Sequence, residues 1–409
     1  MTERRTTLIG ALLVAVGSMS MSLYTPAMPA LVEAFGVPIA TIKLSLTLYF
    51  GGFACAQLFV GPLSDAYGRR PVALSFIGLY VAASILAMVA PTADWLLVGR
   101  LLQGIGASAG VAVSRAIVRD RFEGQQSSRI MNAIALTMAV GPAVSPTIGG
   151  LILAAFGWHA IFVFMAATGV VLVTLIVTQM PETLLSPDPS RFHPGRLVAN
   201  YLTVFRDVRF LRSAIVVGCT VGSLYASATM LPFVLINKVG LTPVAFGIGM
   251  LGQTGSYILG SIVTRMLMRR FPAESLVPVG IAFAVLGGVL LGVFLRTADP
   301  TYLSVMLPIG LIAFGISFAQ PALTTGALAP FPLIAGSAAA LLGFMQTGGG
   351  LLGSLAAAIV GDPVLAIATV VPAMVTLAAA AHFGLGVLDA RNRRRELEAR
   401  LADEMAPGE

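Results

Sequence analysis

The chain has 409 residues, 57% of them hydrophobic and 11% charged, with a formal net charge of +7. A mean hydropathy of +0.91 excludes a water-soluble domain with a polar exterior. The positive excess does not mark a nucleic-acid surface, because the arginines are spread over short joints and a C-terminal tail rather than gathered on one face.

A helix needs about 20 mostly apolar residues to cross the hydrocarbon of a bilayer. Cutting the apolar runs at charges, prolines and glycines predicts twelve spans, near residues 8–31, 41–61, 72–90, 95–115, 130–153, 159–180, 213–236, 244–266, 276–295, 302–322, 337–360 and 364–388. The first follows Arg4 and Arg5 and contains Ala27-Met28-Pro29-Ala30, a signal-peptide-like pattern; the spans that come straight after make it a retained first helix. No charged residue occurs between Asp299 and Asp362, so spans 10 and 11 are separated on length and on Pro321, Pro330 and Pro332.

The longest polar interval, residues 181–212, holds Pro187, Pro189, Pro194 and Gly195, then an amphipathic piece over 201–211. It divides the chain into a six-helix bundle (1–181), a linker (182–211), a second six-helix bundle (212–390) and a tail (391–409). A faint repeat agrees: Ser22-Leu23-Tyr24 with Pro29 in span 1 recurs as Ser223-Leu224-Tyr225 with Pro232 in span 7. The expected fold is all-α and integral to the membrane, two pseudo-symmetric bundles with a substrate site near the midplane where they meet.

Arg4, Arg5, Arg69, Arg70, Arg119, Arg121 and Arg129, the arginines of the linker interval including Arg191, Arg269, Arg270 and the tail arginines all fall on one side of twelve spans. The other side has Lys43, Lys238 and Arg296. Loops rich in Lys and Arg stay in the cytoplasm, so both termini are expected there. Cys55 and Cys219 fall inside apolar runs, with no metal-ligand or disulfide spacing, and three scattered histidines offer no enzyme centre. No phosphate-binding loop of the form G-x-x-x-x-G-K-[ST] occurs. No cofactor, metal or nucleic-acid partner is expected.

Between spans 2 and 3 the chain reads Gly61-Pro62-Leu63-Ser64-Asp65-Ala66-Tyr67-Gly68-Arg69-Arg70-Pro71. Gly61 would let the helix end approach a neighbour, Gly68 suits a tight turn, and Asp65 precedes Arg69 by four residues, an ion-pair spacing if the turn is helical. Span 4 carries Arg100 within RLLQGIGAS, and an arginine in hydrocarbon costs roughly 2.5 to 3.5 kcal/mol, so it should face a cavity and a partner, or else snorkel to the nearer interface. Span 5 holds Gly141-Pro142-Ala143-Val144-Ser145-Pro146-Thr147-Ile148-Gly149-Gly150, two kinking prolines among small residues suited to close helix packing.

With these motifs the chain resembles the major facilitator superfamily over essentially its whole length. The resemblance implies a cytoplasmic latch in which Asp65 caps a helix of the opposite half and engages groups at the end of span 4, here Arg115 and Asp120 in SRAIVRD, closing the cytoplasmic side. It implies proton coupling at Arg100, and an occlusion helix in which Gly141, Pro142, Pro146, Gly149 and Gly150 bring span 5 against span 8; Ser145 replaces the usual glycine. Tyr24-Thr25-Pro26-Ala27-Met28-Pro29, the span 2–3 loop, SRAIVRD and Pro181-Glu182-Thr183-Leu184 are similar to the Bcr/CflA group of bacterial drug efflux pumps, whose cargoes include bicyclomycin and amphenicols. Many members of that group carry an aspartate where this chain has Ser22. No Asp or Glu falls at mid-membrane, which leaves Arg100, Glu33 and His382 as the coupling candidates.

Polar and aromatic residues at helical spacing nominate a cavity: Tyr24, Tyr49, Phe53, Gln57, Gln103, Asn132, Tyr225, Gln253, Tyr257, Phe314, Phe318 and Gln346. Helix packing is an equal explanation for any one of them. As a set they form an aromatic pocket without fixed negative charge, which predicts neutral or anionic cargo. The expectation is a monomer in a bacterial inner membrane that exports small amphipathic compounds by alternating access in exchange for protons. A metabolite facilitator or importer without tight coupling is the alternative.

Overall fold

The computed structural model describes residues 2–184, 188 and 192–405, and among these every regular element is helical. Eleven helices are long and apolar enough to cross a membrane: Glu3–Phe35, Ile39–Tyr67, Arg69–Met88, Ala93–Arg121, Gly124–Phe156, Trp158–Gln179, Val208–Lys238, Ala273–Thr297, Tyr302–Leu328, Pro332–Val360 and Pro363–Asp389. These are spans 1 to 7 and 9 to 12. Span 8, Pro243–Leu267, has 25 residues and the length to cross, but Gln253, Thr254, Ser256 and Ser261 dilute its apolar character.

Two large cores divide the molecule, and a small third cluster of Val14, Val118, Ile130 and Ile134 joins spans 1, 4 and 5. One is built from spans 1, 2, 3, 4 and 6 around Leu13, Leu46, Ile77, Leu96 and Phe162. The other draws on spans 7, 9, 10, 11 and 12 around Val217, Ile281, Ile312, Leu342 and Val371. Inside a membrane the lipid is as apolar as a leucine, so close backbone approach rather than the hydrophobic effect joins the helices. Span 4 shows how: a Cβ at Gly106 would stand 2.6 Å from the backbone nitrogen of Tyr80, and one at Gly104 or Gly110 would overlap the carbonyls of Tyr49 or Leu13. The GIGAS run thereby sets span 4 at the axis of the first half, with Arg100 one turn away.

The joints differ from expectation in three places. Span 2 continues through Pro62 to Tyr67 and span 3 begins at Arg69, so the loop contracts to Gly68, whose φ of 102° suits glycine. The amphipathic piece lies at Pro194–Arg206 rather than 201–211, because Pro194 stands in its first turn and the Asp207 side chain accepts from the backbone N–H of Arg209 and Phe210 to start span 7 at Val208. The second bundle accordingly starts before residue 212. Span 12 runs on as helix to Met405. Pro187, Pro189, Arg191 and the tail beyond Met405 lie outside the described residues, as do the side chains of the tail arginines.

Candidate functional site

At the arginine-rich end Arg69 is 2% exposed and holds a network together. It pairs with Asp65, places Nε 3.0 Å from Asp120 Oδ2, and donates from Nη1 to Ser64 Oγ at 2.9 Å. Thr183 donates to the same Asp120 oxygen at 3.1 Å. Glu182 accepts the backbone N–H of Arg69 at 3.0 Å and of Arg70 at 3.1 Å, capping span 3. An anion at a helix N-terminus is favourable by about 0.3–1 kcal/mol when exposed. Arg70 itself donates to the Val177 carbonyl at 2.8 Å, so the end of span 6 is stitched to the joint as well.

Two members of the expected latch stand apart. Arg115 is exposed and makes no hydrogen bond or ion pair among the described residues; Arg119, one turn on, approaches Asp65 at 3.9 Å instead. Arg119 sits on the side of span 4 that faces the joint, which spacing within SRAIVRD does not reveal. Gly61 meets nothing within 4 Å, so the close approach expected of it is absent. Asp65 forms its bonds within its own half, and shares with Ser337, at the start of span 11, the wall of a cavity of about 480 Å³.

Arg100 neither snorkels nor lines an open space: it is fully buried inside the first half. Its guanidinium lies between two rings, 4.3 Å from the centre of Tyr24 and 4.5 Å from that of Tyr49. Its Nη1 donates to Gln103 at 2.7 Å and its Nη2 to the Ser20 carbonyl at 3.5 Å, while Nε has no partner. The rings are fixed in turn, Tyr49 by the Gly17 carbonyl at 2.8 Å and Tyr24 by Ser45 at 2.7 Å. Gln103 also donates to Ser84, and Ser20 pairs with Tyr80. No carboxylate pairs with Arg100 among the described residues. Two aromatic faces can hold a desolvated cation, each worth about 2 kcal/mol or more.

The halves touch along two main seams, and span 7 also meets spans 1 and 2. Spans 2 and 11 run antiparallel, with Lys43 Nζ on the Gly361 carbonyl at 3.3 Å, Gly51 beside Leu351, and Gln57 beside Gly343. Spans 5 and 8 meet where Gly150 packs on Pro243 and Gly247 on Pro146. These contacts lie toward the arginine-poor end; farther along the same two helices Val140 and Leu136 of span 5, and Leu251 and Ile258 of span 8, are exposed. Within the occlusion motif, Gly141 and Gly149 pack instead on Ser18 and Leu23 of span 1. The structure is closed at the arginine-poor end, where Lys43 of span 2 meets the Gly361 carbonyl of span 11 and Gly150 of span 5 meets Pro243 of span 8.

The nominated cavity residues separate into three groups and one lone residue. Tyr24, Tyr49 and Gln103 form the housing of Arg100, and Phe314 and Phe318 pack on Phe283 of span 9 at 5.1 and 5.9 Å, within the second half. Asn132 is exposed on span 5, away from the others. Gln57, beside Gly343, and Tyr225 lie where the halves meet, whereas Phe53 stacks on Tyr49 at 6.2 Å within the first half, and Gln253, Tyr257 and Gln346 belong to spans 8 and 11 of the second. Tyr225 stacks across the halves on Phe50 at 5.4 Å and 21°. Tyr257 donates to Gln320 at 3.2 Å. Phe50 and Gln320 went unnoticed in the sequence; Phe50 adjoins Tyr49 on a different face, and only the partner half makes it an interface residue. The coupling candidates are dispersed. Glu33 is exposed at the arginine-poor end, and His382, at the inner turn of span 12, lies 3.2 Å from Arg212. Asp389 is the only buried carboxylate among the described residues, and it pairs with Arg209 at 3.1 Å.

Residues 10–357 match the model of the Major Facilitator Superfamily. The chain belongs to that superfamily. It is 32% identical over 354 residues to the uncharacterised MFS-type transporter YdgK of Bacillus subtilis (strain 168), covering 86% of this chain and 87% of the relative. It is 28% identical to a chloramphenicol resistance protein of Pseudomonas aeruginosa, over 84% of this chain and 81% of that one. Its fold is similar to the crystal structure of a bacterial homologue of the human lysosomal transporter Spinster, with a TM-score of 0.70 at 15% identity over 94% and 96% of the two chains. The protein is a multi-pass membrane transporter of this superfamily, and the two cores are its two bundles.

Proposed function

We propose that the protein exports small, neutral or anionic amphipathic compounds from the cytoplasm across a bacterial inner membrane by alternating access. The observation that carries this reading is a pair of buried, unpartnered side-chain oxygens, Gln57 Oε1 on span 2 and Gln253 Oε1 on span 8, one from each half, on helices that carry no buried carboxylate among the described residues. A buried acceptor without a partner costs about 1–3 kcal/mol, which a cargo bearing O–H or N–H groups would recover. Tyr225, Phe50 and Phe53 supply flat apolar contact beside them. The likeness to a chloramphenicol resistance protein supports drug-like cargo of this kind. The arginine-rich end is the cytoplasmic one by the distribution of charge, so both termini are cytoplasmic.

Exchange for protons remains the favoured energy source, at about 2.3 kcal/mol per charge across 100 mV. Arg100 does not itself give up a proton in a protein. Its role in coupling would be to hold Tyr24, Tyr49 and Gln103 in place beside the interface. The alternative, a facilitator or importer without coupling, is favoured by Ser22, which stands where the resembling efflux pumps carry an aspartate.

Everted vesicles energised to an acidic interior separate the two. Proton release triggered by an amphenicol, and lost in Arg100→Ala and Asp65→Asn, is expected. Flux of the compound down its own gradient with no proton movement would establish the facilitator, and robust export of quaternary ammonium dyes would overturn the cargo class.

A further inference from the structure

Lys43 is an exception to the arginine-rich topology, and it is not at the surface. It is 1% exposed, near the start of span 2 in the first half, and its ammonium reaches into the second half. Nζ donates to the Ala357 carbonyl at 3.5 Å and the Gly361 carbonyl at 3.3 Å. Span 11 ends at Val360, so these groups stand at its C-terminus: the Ala357 carbonyl also accepts the Gly361 N–H at 3.3 Å that closes the last turn, and the Gly361 carbonyl lies just beyond it. Asp362 lies next in sequence and interacts electrostatically with Lys43, although its Oδ1 accepts the Leu365 N–H that opens span 12.

A helix C-terminus carries a partial negative charge of about half an electron. A lysine that caps it from the other half is therefore bound only while the halves touch at that end. If they part, both carbonyls return to water and so does the ammonium. The antiparallel pairing extends the relation to the opposite end, where Asp65 of span 2 and Ser337 near the N-terminus of span 11 line one cavity. Span 2 thus presents a cation to the negative end of span 11 and an anion toward its positive end.

We propose that Lys43 is the gate residue of the arginine-poor end, holding the transporter closed there through the C-terminus of span 11 and opposing Asp65 at the other end. This rests on the alternating-access reading above. Closure draws on the same charge–dipole attraction at both ends of one helix, so the balance of the two contacts sets the ratio of inward-open to outward-open protein. Gly150 against Pro243 supplies shape at this end, and Lys43 supplies the charge.

The test uses the full chain in lipid nanodiscs, with Cys55→Ser and Cys219→Ser, spin-labelled through Ala40→Cys and Ala298→Cys across the arginine-poor end. Pulsed dipolar spectroscopy reads the ratio of long to short distances. Lys43→Met is expected to raise that ratio about five- to thirtyfold, Lys43→Arg to keep it within about twofold of the parent, and Asp65→Asn added to Lys43→Met to lower it again. A ratio unchanged in Lys43→Met of parental melting temperature, or moved equally by Lys43→Arg, overturns the gate. Should Lys43→Met not fold, Lys43→Gln is read in its place. One fixed distance in the parent and in Asp65→Asn alike overturns alternating access itself, whereas a parent that switches beside an unresponsive Lys43→Met overturns the gate alone.

Discussion

Glu182 occupies the space that a side chain on Gly68 would need: a Cβ there would stand 2.6 Å from Glu182 Oε2. The same carboxylate caps span 3 through the N–H groups of Arg69 and Arg70. Replacing it by alanine is expected to cost about 0.5–2 kcal/mol, with Glu182→Gln losing less. Gly68→Ala should cost more, about 1–3 kcal/mol, because it combines a positive φ with the clash. Thermal unfolding in detergent, followed by intrinsic fluorescence, ranks the three variants.

The stack of Tyr24, Arg100 and Tyr49 demands a planar cation. Arg100→Lys keeps the charge but loses the two faces and the bond to Gln103, so it is expected to lower transport at least tenfold and to reduce stability by about 2 kcal/mol. Parental flux in Arg100→Lys would mean that charge alone matters here.

Neighbouring glycines of span 5 should fail in different ways. Gly149 packs on the Leu23 backbone inside the first half, and Gly150 packs on Pro243 across the seam. Gly149→Ala is expected to destabilise the fold by about 1–3 kcal/mol through overpacking. Gly150→Ala should leave melting close to parental and instead hinder closure at the arginine-poor end, seen as faster labelling of Ala40→Cys by a membrane-impermeant maleimide. Equal melting losses in both would deny the distinction.

Tyr225 bridges the halves through its stack on Phe50. Tyr225→Phe retains the stack and should transport within about threefold of the parent. Tyr225→Ala loses an aromatic pair worth about 0.5–1.5 kcal/mol beyond its area, and an apparent affinity for cargo weaker by about two- to thirteenfold is expected from competitive uptake.

Much of the architecture was legible because it rests on counting. Twelve apolar stretches and a proline-rich interval follow from the thickness of a bilayer and the chain's need to satisfy its own backbone hydrogen bonds. The Asp65–Arg69 pairing was legible too, since four residues is a helical step. The cavity was less so. Tyr24 and Tyr225 occupy corresponding places in a repeat, yet one encloses Arg100 and the other stacks across the interface. Polar residues at helical spacing mark a face but not what that face meets, which is why Phe314 and Phe318 belong with Phe283 in packing.

By itself, then, the sequence determined the membrane character, the division into halves, the charge asymmetry and the loop motif, because each depends on composition or on contacts a few residues apart. The tertiary structure decided which charges meet: Arg69 with Asp120, Glu182 with the start of span 3, and Lys43 with the end of span 11, 314 and more residues away. A buried charge must find its partner wherever folding places one, and neither distance along the chain nor residue type announces a backbone carbonyl in the opposite half as that partner.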